Sequence, residues 1–455
     1  VSGSKKDMGN DSAFHLVSLG CPKARVDSEL MAGLMQQEGA TLTDNVGEAQ
    51  TIVVNTCAFL ESATQESINT ILELARHKRE GHCKRLIVTG CLVQRYGKDL
   101  PEALPEVDLF LGTNELHRIG EVLREGLPER IYLSEGSHLY EAGDPRFPIT
   151  QGASTYLKIA EGCNRTCSFC IIPSIRGRQA SRLIPDLLRE AEMLAGMGIK
   201  ELVLIAQDLT SYGVDLGIKQ GLVKLLEGLN EIEGIHWIRL QYCYPWNFTD
   251  ELINVLRDCE RVVPYVDMPL QHISDRILKS MRRNVKRNAQ ERLIQRLREI
   301  EGMVLRTTLI AGYPGETQAE FESLCDWVRE VEFDHMGAFS YSSEVGTLAA
   351  ELPDQLPEEV KVERLNSLMG LQQQIAFRRN RMRVGQSYDV LVDGPSLEHE
   401  FVLEGRYYGQ APEIDGVVFL DFEDGADLVR PGDFVQALIS DATEYDLTGR
   451  VLSKA

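Results

Sequence analysis

The sequence predicts an α/β chain in three parts: an N-terminal open parallel α/β sheet, a central (βα) barrel of about six units, and a small C-terminal β-barrel. Three observations carry this. Apolar strands alternate with amphipathic helices four times before residue 145 and about six times after it, the pattern of parallel sheets. A long helical stretch, PEEVKVERLNSLMGLQQQIAFRRNRM, closes the second series. From about Gly385 the helical period is gone, and short alternating pieces separated by Gly, Pro and Asp replace it, as in a small closed barrel.

A chain of 455 residues has room for about three domains. The expected boundaries are a disordered tail at 1–14, the first α/β domain at 15–145, the barrel at 146–383 and the C-terminal β-barrel at 384–455. A hydrophobic content of 43% and a charged content of 26% are ordinary for a globular protein. No apolar run approaches the roughly 20 residues of a membrane helix, and the first residues lack the apolar core of a signal peptide. The expected compartment is the cytoplasm, where thiols stay reduced. The ten cysteines are then ligands or core residues rather than disulfides.

In the first series the strands are FHLVSLG, TIVVNTC, RLIVTGC and DLFLGT. Open α/β sheets bind ligands outside the carboxyl ends of their strands. Three such ends carry Cys21, Cys57 and Cys91. Any one of them alone reads as a small core residue. Three equivalent positions in one domain read as a ligand set.

In the second series the strands are TYLKIAEG, KELVLIAQD, HWIRLQYC, VPYVDMPLQ, MVLRTTLIAG and HMGAFSYS. Barrel chemistry also lies at the carboxyl ends. Just after the first strand comes EGCNRTCSFC, which spaces Cys163, Cys167 and Cys170 as C-x3-C-x2-C. Three thiolates on one tight loop can hold three corners of a 4Fe-4S cluster, which normally takes four cysteines. One iron then stays open to a substrate or cofactor. The rival is a structural zinc knot, which needs a fourth Cys or His near by. Apart from these three cysteines, none occurs between His138 and His236.

This CxxxCxxC, with Phe169 before its last cysteine, resembles the signature of radical S-adenosylmethionine (SAM) enzymes. The resemblance implies that SAM chelates the open iron through its amino and carboxylate groups. The reduced cluster then cleaves it to methionine and a 5′-deoxyadenosyl radical, a reagent for C–H bonds that no side-chain base could ionise. Further cofactor contacts are expected at strand ends. Gln207 and Asp208 stand where the wider superfamily often has a Gly-Glu pair for the methionine amino group. Gln271 and His272 end DMPLQH. Gly312 and Gly315 bound the Gly-Tyr-Pro-Gly turn of AGYPGET, where backbone can approach a ligand closely. The plainer readings are a hydrogen-bonded core histidine at 272 and an ordinary turn before a helix.

From about His15 to the end, the chain resembles the methylthiotransferases. The matching stretches are SLGCPK, VVNTCAFLESA, VTGCL, YLKIAEGCNRTCSFCIIPSIRG, DMPLQH and AGYPGET. Such enzymes join an N-terminal α/β domain to a radical-SAM barrel and a C-terminal β-barrel of the TRAM type. The resemblance implies two 4Fe-4S clusters: an auxiliary one on Cys21, Cys57 and Cys91, and a radical one on Cys163, Cys167 and Cys170. It implies no catalytic side chain beyond these ligands. Ala24-Arg25 departs from the Asn-Leu of many members, at positions that are not ligands. Cys83, Cys243, Cys259 and Cys325 match no ligand position and are expected to be structural.

One branch of the family methylthiolates a tRNA adenosine near the anticodon. The other, RimO-type, modifies the β-carbon of an aspartate in small-subunit ribosomal protein twelve. Charge favours the second. The chain carries −21, and residues 384–455 hold 15 acidic and 4 basic residues, 4 − 15 = −11. A module that grips tRNA should be basic, whereas an acidic one suits a basic protein partner; the plainer reading is a solvated surface. SLGCPK, APEIDG and EYDLTG also resemble the protein branch. The basic run at 378–383, RRNRMR, could touch RNA, but complementing the carboxyl end of its own helix is the preferred reading. The family mechanism has one SAM methylate a cluster-attached sulfur and a second furnish the radical that removes the aspartate β-hydrogen, after which the carbon radical takes the methylated sulfur. An external electron donor is implied. The rival of a different class is a non-catalytic iron–sulfur module on the ribosome.

Overall fold

The computed structural model describes residues 13–149, 152–396, 402–422 and 429–454. The expected tail therefore lies outside the described residues, apart from Ala13 and Phe14, which already belong to the first strand. The chain packs into two compact units. The first runs to Ile149 and takes in Glu161–Arg165 and Ile171–Ala180; the second holds Thr150–Ala160, Thr166–Cys170 and everything from Ser181 onward.

The first unit is a six-stranded parallel sheet. Its strands are β1 (Ala13–Ser18), β2 (Thr41–Leu42), β3 (Thr51–Thr56), β4 (Arg85–Gly90), β5 (Leu109–Leu111) and β6 (Ile131–Tyr132), in the order 2-1-3-4-5-6. All six residues of β3 are buried, because the sheet is covered on both faces. Ile52, Val54, Leu86 and Val88 enter one core and Val53 and Ile87 the other, as the two-residue period of a strand requires. The helices nearest the carboxyl edge are α1 (Pro22–Gln37), α2 (Glu61–Leu74), α3 (Cys91–Tyr96) and α4 (Ile172–Arg176). Ile171 and Ile175 complete the first of these cores. The strand order reverses between β1 and β3, which opens a crevice at their carboxyl ends.

The second unit begins with six parallel strands in sequential order: β7 (Ser154–Lys158), β8 (Glu201–Ile205), β9 (Trp237–Leu240), β10 (Val262–Asp267), β11 (Val304–Ala311) and β12 (His335–Ser340). They form an open sheet, a partial barrel of the six expected repeats. Among the helices between them is α5 (Gln318–Val331), which starts at a capping box of Thr317 and Glu320. The series ends in α6 (Glu358–Arg381). A closed five-stranded barrel follows, from β13 (Ser387–Pro395), β14 (Leu403–Tyr407), β15 (Val418–Asp421), β16 (Phe434–Ala442) and β17 (Leu447–Lys454).

Ion pairs fasten this small barrel to the early parts of the parallel strands. Glu201 lies 2.7 Å from both Arg239 and Arg406. Asp415, in APEIDG, accepts a hydrogen bond from the Tyr265 hydroxyl at 2.7 Å and pairs with Arg306 at 3.3 Å. In the basic run, Arg378, Arg379 and Arg381 lie in the last turn of α6, where a helix end favours positive charge. Arg378 pairs with Glu332, Arg379 and Arg383 with Asp334, and Arg381 with Asp441. These arginines also bind carboxylates on neighbouring elements.

Candidate functional site

Each cysteine of the first set sits where a strand hands over to a helix. Cys21 is the N-cap of α1, extended at φ −101° and ψ 170°, and Pro22 follows at the first helical position, where its missing N–H is no loss. Cys57 directly follows β3 and is clipped to α2. Its N–H donates to Ser67 Oγ at 3.1 Å, and that hydroxyl donates to the Cys57 carbonyl at 2.8 Å. Arg95 on α3 donates to the next carbonyl, that of Ala58, at 2.8 Å. Cys91 opens α3 directly after β4.

These strand ends are adjacent. A Cβ on Gly20 would lie 2.9 Å from the Cys57 Cβ, so only glycine lets the Cys21 turn pass Cys57. Asn55, fully buried in β3, donates its amide to the Ala24 carbonyl at 2.7 Å and to Ser28 Oγ at 2.9 Å, tying α1 to the sheet beside Cys21. The thiols also sense one another. Burial pushes the Cys91 thiol up to about 11; Arg176 opposes this, and Cys21 and Cys57 add to it. Burial likewise raises Cys57, with Cys21 adding to the rise. Among the described residues, no three His, Cys, Asp or Glu side chains converge as a ligand set for one metal ion.

The second set shares one loop in sequence. Cys163 packs with the first unit, and its N–H donates to the Gly177 carbonyl at 3.1 Å. Cys167 and Cys170 belong to the second unit, where the Cys170 N–H donates to the Cys167 carbonyl at 3.1 Å. Between them Ser168 donates its N–H to the Met281 carbonyl at 3.0 Å and its hydroxyl to the Ser280 carbonyl at 2.9 Å. Phe169 packs on the cluster of Ile277, Met281 and Tyr313.

The other expected contacts divide. Gln207 and Asp208 follow β8, but both Asp208 oxygens accept from its own turn, from Thr210 and Ser211 at 2.7 Å each. Gln271 is held at φ +73° beyond β10, and its Oε1 is buried without a hydrogen-bond partner. Gln241, just beyond β9, has both amide atoms buried and unpartnered. A buried, unpaired amide is costly, so these two fit a polar ligand at the strand ends. Gln241 was missed in the sequence reading; its only signal was its place at the end of HWIRLQYC.

The Gly-Tyr-Pro-Gly turn is closed by hydrogen bonds of its own. The N–H groups of Gly312 and Tyr313 donate to the Glu316 carboxylate, and that of Gly315 to the Asp354 carbonyl at 2.9 Å. The close approach at Gly312 is to Lys361, whose Cγ would lie 2.6 Å from an added Cβ. Packing and turn closure thus engage the N–H groups of Gly312 and Gly315. His272 is fully buried, with Nδ1 accepting from the N–H groups of Ile273 and Ser274 at 2.9 Å and Nε2 left without a hydrogen-bond partner. Cys243 is fully buried as well.

Comparison with known proteins follows these three parts. Residues 13–112 match the profile described as Uncharacterized protein family UPF0004, 157–328 the Radical SAM superfamily and 384–452 the TRAM domain. Among solved structures, the radical S-adenosylmethionine methyltransferase TsrM from Kitasatospora setae shares the fold, with a TM-score of 0.53 and 16% identity over 72% of each chain. The proteins named ribosomal protein uS12 methylthiotransferase RimO are far closer in sequence. That of Sorangium cellulosum is 47% identical, covering 96% of this chain and 90% of its own. That of Pelotomaculum thermopropionicum is 47% identical, covering 96% and 98%. With identity at this level along nearly the whole chain, this protein belongs to the RimO family of radical SAM methylthiotransferases.

Proposed function

We propose that this chain adds a methylthio group to the β-carbon of an aspartate in ribosomal protein uS12. The observation that carries the reading is the trio of cysteines at three adjacent strand ends, in a chain that also bears the CxxxCxxC loop. One trio would serve radical generation alone; a second suits delivery of sulfur. Cys163, Cys167 and Cys170 would hold one 4Fe-4S cluster, and Cys21, Cys57 and Cys91 the auxiliary one. When bound, the clusters and SAM supply radical formation and sulfur transfer.

The chain's own residues do the rest. The amides of Gln207, Gln241 and Gln271 would meet the polar groups of SAM. Phe169 braces the cysteine loop by packing. The division of labour follows the sequence blocks: auxiliary cluster in 15–145, SAM chemistry in 146–383, substrate capture by the acidic 384–455. A negative barrel steers a basic ribosomal protein and repels free RNA. Electrons come from an external donor. Among the described residues, no helix is long and apolar enough to cross a membrane.

The deciding experiment offers the anaerobically reconstituted enzyme, with SAM and reductant, both the aspartate-bearing loop of uS12 and a tRNA anticodon stem. Mass spectrometry should find an added methylthio group on the peptide only; modification of the RNA would overturn the assignment. The cysteine assignment has its own check. The full chain should hold about eight irons, four per cluster, and Cys57→Ala about four. It should then still cleave SAM but form no methylthio product. A full iron complement in that variant would refute the auxiliary site.

A further inference from the structure

The family resemblance gives ligands to the auxiliary cluster but says nothing of what surrounds them. In the first unit one cation does. Arg176, at the end of α4, is 3% exposed. Its Nη1 donates to Asp27 at 2.8 Å and to Glu161 at 3.2 Å, and its Nη2 to the Cys91 sulfur at 3.4 Å. Two carboxylates would suffice to bury an arginine. The third contact is with a thiol that the cluster assignment needs as thiolate.

The adjoining backbone is fixed as tightly. Gly177 has φ +72°, and a Cβ there would lie 2.7 Å from the Gly136 carbonyl oxygen. Its own carbonyl receives the Cys163 N–H. A Cβ on Gly162 would lie 2.3 Å from the Arg178 carbonyl oxygen. The dipeptide Arg176-Gly177 thus holds one cysteine of each set, Cys91 by a side-chain contact and Cys163 by a backbone one.

We propose that Arg176 is a positioning residue for the auxiliary cluster: its guanidinium orients the Cys91 thiolate and raises the reduction potential of the cluster bound there. This rests on the reading that Cys91 is a ligand. The physical basis is general. Hydrogen bonds to ligand sulfurs and nearby positive charge stabilise the more negative, reduced state. A rigid guanidinium fork can serve carboxylates with one nitrogen and sulfur with another, which a lysine cannot reproduce. Asp27 and Glu161 orient the fork and also temper its charge. The sign therefore depends on which partner is removed.

The test is a redox titration followed by electron paramagnetic resonance. It uses the reconstituted full chain carrying Cys163→Ala, Cys167→Ala and Cys170→Ala, so that only the auxiliary cluster reports. In that background, Arg176→Gln should make the cluster about tenfold harder to reduce, a fall of about 59 mV for one electron. Asp27→Asn should shift the potential upward, because it leaves Arg176 in place with less negative charge around it. Opposite shifts are not expected of a merely structural residue. Should Arg176→Gln fail to fold, Arg176→Lys and Asp27→Asn still decide, Arg176→Lys by a smaller fall. Four irons retained with an unmoved potential in both Arg176→Lys and Asp27→Asn would overturn the proposal and leave the ligand assignment standing. If Cys91→Ala in the otherwise unaltered chain keeps all of about eight irons, the assignment itself fails.

Discussion

Gly90 shows what a single residue contributes at the cysteine edge. It has φ +97°, and a Cβ there would lie 2.4 Å from Asn55 Oδ1 and 2.6 Å from the Thr56 carbonyl oxygen. Both obstacles are fixed: Asn55 by its two hydrogen bonds and Thr56 by its place in β3. Gly90→Ala should therefore destabilise the chain by about 1–3 kcal/mol from backbone strain, read by chemical denaturation. On the proposed assignment of Cys91, the next residue, auxiliary iron should fall while the other cluster's four irons remain. An unchanged denaturation midpoint would mean the strand end yields more easily than its contacts suggest. VTGC displays this glycine in the sequence, but not its need. The clash comes from Asn55, 35 positions earlier, and exists only once β3 and β4 pair. Arg176 was hidden in the same way. CIIPSIRG shows an arginine beyond the cysteine loop, whereas Asp27, Cys91 and Glu161 are gathered around it only by folding.

Whole elements were legible where one chemical signal ran long enough. TIVVNT is six residues of strand because all but Asn55 are β-branched, and it is buried throughout. The handover from such a run to a helical pattern located Cys21, Cys57 and Cys91 without any view of the sheet. Strands β2 and β6, two residues each, were not foreseen, since two residues display no period. AGYPGET was ambiguous for another reason. Pattern shows that a turn exists, but not whether its N–H groups face a ligand or a carboxylate; Glu316, inside the same motif, took two of them. The arginines at the end of α6 were open to the same ambiguity. Their charge was plain from the sequence, yet the carboxylates that pair with them come from residues 332, 334 and 441.

For the whole molecule, the feature that sequence could not supply is the seam between the partial barrel and the small closed barrel. Its centre is Glu201, fully buried between Arg239 and Arg406, with Arg406 also held by Asp393 at 2.8 Å and by Ser154 Oγ at 2.8 Å. Burial by itself would raise the Glu201 pKa, but Arg406 and Arg239 outweigh it and hold the carboxyl at about 2, against an ordinary 4.5. Asp334, ringed by Arg298, Arg379 and Arg383, is likewise held at about 2 despite its burial. Carboxyls with depressed folded pKa values stabilise the fold above their unfolded values, and that contribution fades as pH falls through the folded ones. For Glu201 the shift corresponds to roughly 3 kcal/mol at about 1.4 kcal/mol per unit, fully present above about pH 4.5 and fading toward pH 2. Glu201→Gln strands two buried guanidinium groups, so at neutral pH it should destabilise by about 3–5 kcal/mol. It should also flatten the loss of stability between those pH values, though not abolish it, because Asp334 still titrates there. The measurement is denaturant unfolding of both proteins at steps of pH across that window. Parallel curves for wild type and Glu201→Gln would show that the seam carries no titrating load. A difference that closes as pH falls would identify Glu201 as the acid-sensitive link between the two barrels.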